Sequence, residues 1–415
     1  MAALAVVLFT SCPGTESPEQ EEVFLPPSKP QAPLLVFWNS MIIAGWSGIS
    51  GADSYEIYCS ADSENPGPAV KSAGVTSAVL TATGDKNLFS SGVAYYVWIR
   101  AKNSAGVSPL SDAAAQISTG DGPLYRDMAA VDGKPVSGNG AYAIKVTVPP
   151  GYMYGGTEQI KKGVFVQGRN LSIDSFTMAK YETTRELYVV VQAWALENGY
   201  HFATVVPVFS VNDQARPVTG ISWRDAVVWC NAYSEMTGLE PVYYYPAVEP
   251  GAVLRDSGNP AACNGAVMDK GKTGYRLPTE VEREFAARGG DPDKADWQYS
   301  YAGSNAADDV AWYHGNSAFQ IQPVGGKTAN RLGIFDLSGN VQEWCWDWMN
   351  WAVDVTAETP ADGAAYSQTA PLANQKAFNG GGVGSNITYS CVAYRWGYAP
   401  EYHDNYIGFR VVRIP

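Results

Sequence analysis

From Gly382 to Gly408 no apolar repeat of two or of 3.6 residues runs through the chain, so this stretch declares neither a strand nor an amphipathic helix of its own. It carries tyrosines at 389, 394, 398, 402 and 406, mixed with Ser385, Asn386, Ser390, Gly397, His403 and Asn405. Points that look fixed frame it: Gly381-Gly382, Cys391, Ala393, Arg395, Pro400 and Ile407-Gly408-Phe409-Arg410. Such a segment has to be shaped by its neighbours. Tyrosine with serine, asparagine and glycine is the composition of a paratope, where rigid amphipathic rings supply contact area at small entropic cost. The expected ligand-binding residues are Asn386, Thr388, Tyr389, Tyr394, Trp396, Tyr398, Tyr402, His403, Asn405 and Tyr406.

The other end of the chain is patterned in the opposite way. Tyr95, Val97, Ile99 and Ala101 alternate with Tyr96, Trp98, Arg100 and Lys102, the period of a half-buried strand. Trp46 follows Ile42-Ile43-Ala44-Gly45, and Asn103-Ser104-Ala105-Gly106-Val107-Ser108-Pro109 reads as a hairpin. Together these resemble a fibronectin type III domain over residues 30–120. The resemblance implies an all-β sandwich with no active site of its own, acting as a spacer. A length of 415 residues allows two or three domains. The turn signals Gly138-Asn139-Gly140 and Pro149-Pro150-Gly151 mark 121–156 as an irregular lead-in to a second domain, 121–415.

Within that domain Gly163–Gly168 reads as a strand, and Ser175–Met178 as another. A helix runs through Thr184, Leu187, Tyr188 and Val191. Ser222 with Asp225 opens a second, which Gly238 stops. Thr279-Glu280-Val281-Glu282 is a capping box for a third, with Val281 and Phe285 on its buried face, Glu284 and Arg288 paired, and Gly289-Gly290 ending it.

Three segments, Tyr275-Arg276-Leu277-Pro278-Thr279-Glu280, Gly339-Asn340-Val341-Gln342-Glu343-Trp344 and Gly408-Phe409-Arg410, resemble the formylglycine-generating-enzyme (sulfatase-modifying-factor) family. The likeness runs from about Val164 to Val412 and implies an α+β C-type-lectin-like fold with much irregular structure. Positions matching Asp336, Gly339, Val341 and Glu343 bind structural calcium in that family, through the first and last side chains and the middle two carbonyls. The residues themselves offer an oxygen-only donor set, as calcium requires. The alternative is a metal-free carboxylate pair bonded to loop amides. Family enzymes hold copper through two cysteines five residues apart. Cys391 matches the second, but Asn386 stands at the first, Val383 where a serine is usual and Gln342 where a tryptophan is usual. Copper(I) favours soft thiolates, so no copper and no catalytic residue are expected. Were the chain a copper- or iron-dependent oxidase of the formylglycine-generating or sulfoxide-synthase type, Cys391 and Arg395 would carry the chemistry. The family fold brings the segments of Cys345 and Cys391 to one groove, which leaves open a disulfide or two buried thiols. The tail also resembles the variable segment of lectin-fold proteins diversified by retroelements, the alternative being an active site that drifted.

A net charge of −13 argues against nucleic acid as a partner. Ala2–Phe9 is apolar but too short to span a bilayer. With Phe9-Thr10-Ser11-Cys12 it resembles a bacterial lipoprotein signal over residues 1–12, with Cys12 as the acylated residue and 13–29 as an acidic tether. The expectation is an exported, membrane-anchored lipoprotein at the cell surface, monomeric, with a protein or glycan ligand. Cys59, Cys230, Cys263, Cys345 and Cys391 leave an odd thiol, and His201, His314 and His403 are too scattered to suggest a zinc or His-rich iron site.

Overall fold

The computed structural model describes residues 25–415 except 39–40, 82–88, 91, 118–125, 149, 151–155, 207–214, 247–250, 350–354, 358 and 360–374. Cys12 and most of the acidic tether lie outside the described residues. The chain divides into two compact units, with the break between Gly122 and Pro123. Among the described residues no helix is long and apolar enough to cross a membrane.

The first unit is a two-sheet sandwich. Strands β1 (Leu34–Trp38), β2 (Met41–Gly45) and β5 (Ser77–Leu80) form one sheet. The other has the order β4 (Ala69–Ala73), β3 (Ser54–Ser60), β6 (Ala94–Asn103), with β7 (Gly106–Val107) and β8 (Ala114–Ile117) also pairing with β6. The alternation read from sequence sets the core: Tyr95, Val97, Ile99 and Ala101 pack with Ile42, Ala44, Trp46, Tyr55 and Ile57. Trp46 meets Tyr55 edge-on at 5.3 Å between ring centroids. On the opposite face of β6, Arg100 sits across from Glu56 and holds its carboxyl below the usual range. Asn103 opposite Gly106 closes the expected hairpin.

The second unit corrects two sequence readings. The described residues of the 121–156 segment are not all irregular: they contribute β9 (Met128–Val131), β10 (Pro135–Ser137) and β11 (Ile144–Thr147). These pair respectively with β14 (Phe176–Ala179), β13 (Asn170–Ser172) and β12 (Glu158–Lys161). Gly138-Asn139-Gly140 connects β10 to β11, while Pro149 and Gly151 of the second turn signal lie outside the described residues. In β11, Ile144 and Val146 are buried while Lys145 and Thr147 are exposed, the two-residue period at its shortest. Conversely, Gly163–Gly168 forms no strand. Gly163 and Gly168 are left-handed (φ 64° and 82°), and a Cβ on Gly163 would lie 2.3 Å from Glu284 Oε1. Buried partners hold the turn: Val164 N donates to Glu284, and Arg169 donates to Val164 O.

The helices fall where their caps placed them. Thr184 caps α1 (Arg185–Glu197), and Ser222 with Asp225 forms a capping box on α2 (Trp223–Met236). Tyr188 of α1 stacks on Trp229 of α2 at 5.6 Å, and Phe409 meets Trp229 edge-on at 5.2 Å. Burying aromatic rings contributes about 1.5–3 kcal/mol apiece, which explains why the helices adhere here. A small sheet of β15 (Tyr243–Tyr245), β16 (Ala252–Val253) and β17 (Val267–Met268) follows, with α3 (Pro260–Asn264) in it and α4 (Glu280–Ala287) after it. The last sheet has the order β20 (Trp396–Tyr398), β19 (Gln375–Asn379), β18 (Gln342–Met349), β21 (Ile407–Gly408). The final strand β22 (Val412–Arg413) returns to pair with β14. This is an α+β unit with long irregular connections.

Candidate functional site

The tail crosses the last sheet twice and is otherwise pinned side chain by side chain. Arg395 grips both carboxylate oxygens of Glu280, one at 2.7 Å, at the N-terminus of α4. Asn379 donates to Tyr394 O, Gly220 N to Asp404 O and Gln342 N to Tyr406 O, all at 2.8–3.0 Å. Arg224 pairs with Glu401 at 2.8 Å. Gly381 is left-handed at φ 65°, and a Cβ there would collide with Ser390 Oγ at 2.6 Å. These contacts supply the rigidity that the tail's own sequence pattern does not.

On this frame the aromatic residues separate by role. Tyr389, Trp396, Tyr398 and Tyr406 are 37–40% exposed. With Asn386 and Tyr394, the first three line an open cavity of about 640 Å³. Tyr402 lies behind it, its ring 4.0 Å from that of Tyr398 and its hydroxyl 3.1 Å from Asp404. Asn405 and Tyr406 line a neighbouring cavity of about 220 Å³ instead. His403 is exposed and lines neither cavity. The reading of Thr388 as a contact is corrected: it is 1% exposed inside a 3₁₀ turn over Ile387–Ser390.

Residues outside the tail complete the cavity wall. Gln159 and Lys161 come from β12, Gln342 from β18 and Phe378 from β19. Lys161 Nζ lies 5.3 and 5.7 Å from the Tyr394 and Tyr389 ring centroids, a cation over two π faces. Gln159 and Lys161 are less exposed than Glu158 and Ile160, so this strand's period was the signal for one inward face. It went unread because the strand borders the segment taken as irregular.

The would-be oxidase pocket does not fit copper. Asn386 caps the 3₁₀ turn, its Oδ1 accepting from Thr388 N at 3.1 Å. Cys391 is 1% exposed, burial pushes its thiol up to about 12, and with an amide at Asn386 it is a single soft donor where copper(I) wants two. Nor does the disulfide form: Cys345 and Cys391 are both free. Cys345 packs with Met349 and Ala377, its Sγ 3.4 Å from Asn379 Oδ1, while Cys391 belongs to the larger core. Arg395 is committed to Glu280 rather than available for chemistry.

The proposed calcium quartet is close in the chain, but its two carboxylates are largely engaged by other partners. Burial pushes the Glu343 carboxyl up, yet Arg283 and Arg410 more than offset this and hold it below the usual range. Arg283 Nε is 3.0 Å from one oxygen, and Arg410 reaches both at 2.7 and 2.9 Å. Val341 N donates to Glu182, which also accepts from Asn340 at 2.7 Å. Asp336 takes Gly325 N at 2.7 Å on one oxygen, while the other has no hydrogen-bond partner. Burial pushes Asp336 up to about 6, and burial with the charges of Asp336 and Glu343 pushes Glu182 well above its usual range. One open carboxylate oxygen and the carbonyls of Gly339 and Val341 fall short of the six to eight donors calcium takes. Two guanidinium groups already supply positive charge to Glu343, so these residues, as arranged, do not fit the ion. Among the described residues no group of three or more His, Cys, Asp or Glu is placed to hold a metal.

The chain matches the sulfatase-modifying factor enzyme 1-like domain over residues 134–415. A Paenibacillus barcinonensis protein described as "Chaperone protein LppX" is 34% identical over 197 residues, covering 43% of this chain and 65% of that protein. The formylglycine-generating enzyme of Thermomonospora curvata is 34% identical over 144 residues, covering 29% of this chain and 44% of the enzyme. Each of these alignments spans less than two thirds of the relative. The crystal structure of CarF is 26% identical with a TM-score of 0.51, covering 70% of this chain and 98% of CarF.

Proposed function

This chain belongs to the sulfatase-modifying factor enzyme 1-like family, and we propose that it uses the family scaffold to bind a ligand rather than to oxidise one. One observation carries the reading: exposed Tyr389, Trp396 and Tyr398 surround an open cavity of about 640 Å³ and stand on a buried frame. Half-exposed rings held in place lose little entropy on binding, which suits an interface. The protonated Cys391 and the capping role of Asn386 support a scaffold whose copper chemistry is gone. The description of the Paenibacillus relative as a chaperone adds proteins to the ligand classes worth testing. Diversification of the tail by a retroelement fits the split between pinned frame and exposed positions. An adenine-rich near-copy of the gene's 3′ end beside a reverse transcriptase would test it. The chain is further proposed to be a monomeric, surface-anchored lipoprotein acylated on Cys12, and fatty-acid labelling lost in Cys12→Ala is the expected result.

Two measurements test the binding reading. Changing Trp396 and Tyr398 together to Ala should abolish binding of the labelled full chain to peptide and glycan arrays while leaving Tm nearly unchanged. Titration of the reduced chain with Cu(I) should give no stoichiometric complex. A tight one-to-one complex lost in Cys391→Ser would overturn the reading in favour of an oxidase.

A further inference from the structure

The smaller cavity, of about 220 Å³, differs in chemistry from the one lined by Tyr389, Trp396 and Tyr398. Arg185 and Arg216 both line it, and none of its lining residues among those described is acidic. In a chain with 41 Asp and Glu against 28 Lys and Arg, such a wall runs against the average. A net charge of −13 repels anions in general, so a place that holds one has to be built from local cations.

Backbone contacts bring the two arginines together. Arg185 opens α1, and its N donates to Arg216 O at 2.8 Å. An isolated bridge joins Thr184 to Pro217, and Val218 N donates to Thr183 O at 2.9 Å. The apolar part of the lining comes from Pro217, Phe319, Ile321 and the ring of Tyr406. The loop that carries Phe319 is fastened to the segment of Arg216, with Val324 N donating to Ala215 O at 2.9 Å. Phe319 is left-handed at φ 59°, as is Ala318 before it at φ 51°. Bulky residues rarely adopt this region, and strain of this kind gathers at ligand clamps. The Phe319 ring stays 51% exposed, so burial within the chain does not offset the strain. A ligand in the cavity would supply the missing contacts.

We propose that this cavity binds an oxyanion carried on a flat apolar group, such as an aromatic carboxylate. The site is separate from the larger cavity and does not rest on the reading given for it. Guanidinium forks match the paired oxygens of a carboxylate, and those of a phosphate, through two parallel N–H···O bonds. Phe319 and Tyr406 offer faces to the apolar part. Size sets the scale of the ligand: a cavity of about 150 Å³ holds benzene, so this one admits a ring with its anionic group and little more.

Titration calorimetry of the full chain with phenylacetate, phenyl phosphate, inorganic phosphate and benzyl alcohol tests the site. Phenylacetate and phenyl phosphate should bind, and the tighter of the two identifies the anion. Benzyl alcohol, a ring without charge, should not bind. Inorganic phosphate should bind about tenfold more weakly than phenyl phosphate, for want of a ring to bury. Arg185→Gln and Arg216→Gln should each weaken phenylacetate about tenfold, and together abolish it. Arg216→Lys keeps the charge without the fork and should weaken it about threefold. Phe319→Gly should weaken phenylacetate about tenfold, leave inorganic phosphate unchanged and not lower Tm, since glycine relaxes the positive φ. The last two variants decide the case even if the glutamine variants fail to fold. Binding that survives the double arginine change, or benzyl alcohol bound as well as phenylacetate, would overturn the site. Inorganic phosphate bound as tightly as phenyl phosphate would overturn the ligand class. Phenylacetate lost in Trp396→Ala but kept in the arginine variants would place the ligand in the larger cavity instead. No saturable binding of any probe to the wild type would defeat the proposal outright and leave the reading of the larger cavity standing.

Discussion

Strand β6 and the tail are both rich in aromatic residues, yet the two are held in shape by different means. In β6 the ladder to β3 runs unbroken from Ser54↔Lys102 to Ser60↔Tyr96, and a period of two decides which residues enter the sandwich core, Trp98 being buried on the other face. In the tail, Tyr394 is buried while Trp396 and Tyr398 are exposed, although all three lie at even spacing. What sorts them is external: Arg395 on Glu280, Asn379 on Tyr394 O, and glycines that admit no side chain. A strand that carries its own register tolerates little change in its apolar residues. A pinned tail should tolerate change at exposed positions such as Trp396, provided the pins stay, which suits the binding surface proposed above.

The contrast is most severely tested at the charged centre beneath the tail. Glu343→Gln should lower the stability of the second unit by about 3–5 kcal/mol, because it leaves Arg283 and Arg410 buried with their counter-charge gone. Chemical denaturation would show this, and a loss below about 1 kcal/mol would mean the network is not a pin. Ile99→Ala, in the self-registered strand, should destabilise the sandwich by about 2–5 kcal/mol and leave ligand binding by the tail unchanged. If tail binding fell with it, the two regions would not be independent.

A pH series sharpens the same comparison. Asp336 is raised to about 6 in the folded protein, against about 3.9 unfolded. The sign follows: its contribution is full below the unfolded value and is lost as pH rises through about 6, and Glu182 acts in the same direction. Tm of the second unit should therefore carry a component that falls as pH rises from about 4 to about 6, with a flatter profile over that window in Asp336→Asn. Glu343 has the opposite sign, since its folded value is depressed, so its contribution is lost as pH falls through that value. EDTA should leave Tm unmoved, because guanidinium groups rather than calcium balance Glu343. A downward shift on chelation would show that the loop rearranges around an ion. Smallest of all, Trp396→Ala should change stability by less than about 0.5 kcal/mol, which urea unfolding can resolve.

Local signals carried well wherever the determinant lies within a few residues of its effect. Thr184, Ser222 and Thr279 each cap the helix their neighbours announced, because a cap needs only the next three residues. The alternation through Tyr95–Lys102 fixed both faces of β6 for the same reason. The site residues were half legible: the tail's composition pointed to Tyr389, Trp396 and Tyr398, but it could not tell them from Thr388, which looks equally suited to a surface and is buried.

Short-range pattern thus determined by itself the helix starts, and with the family resemblances it gave the class of each domain and Asn386 in place of a second thiol before Cys391. Only the tertiary structure decided which tail rings face solvent, that Gln159 and Lys161 wall the cavity, and that Glu343 is answered by Arg283 and Arg410. Arg283 lies 60 residues from Glu343 in the chain, and Lys161 more than two hundred from Tyr389. Side chains that distant meet only after the intervening strands and helices have packed, and no periodicity along the backbone encodes where a folded chain will bring them together.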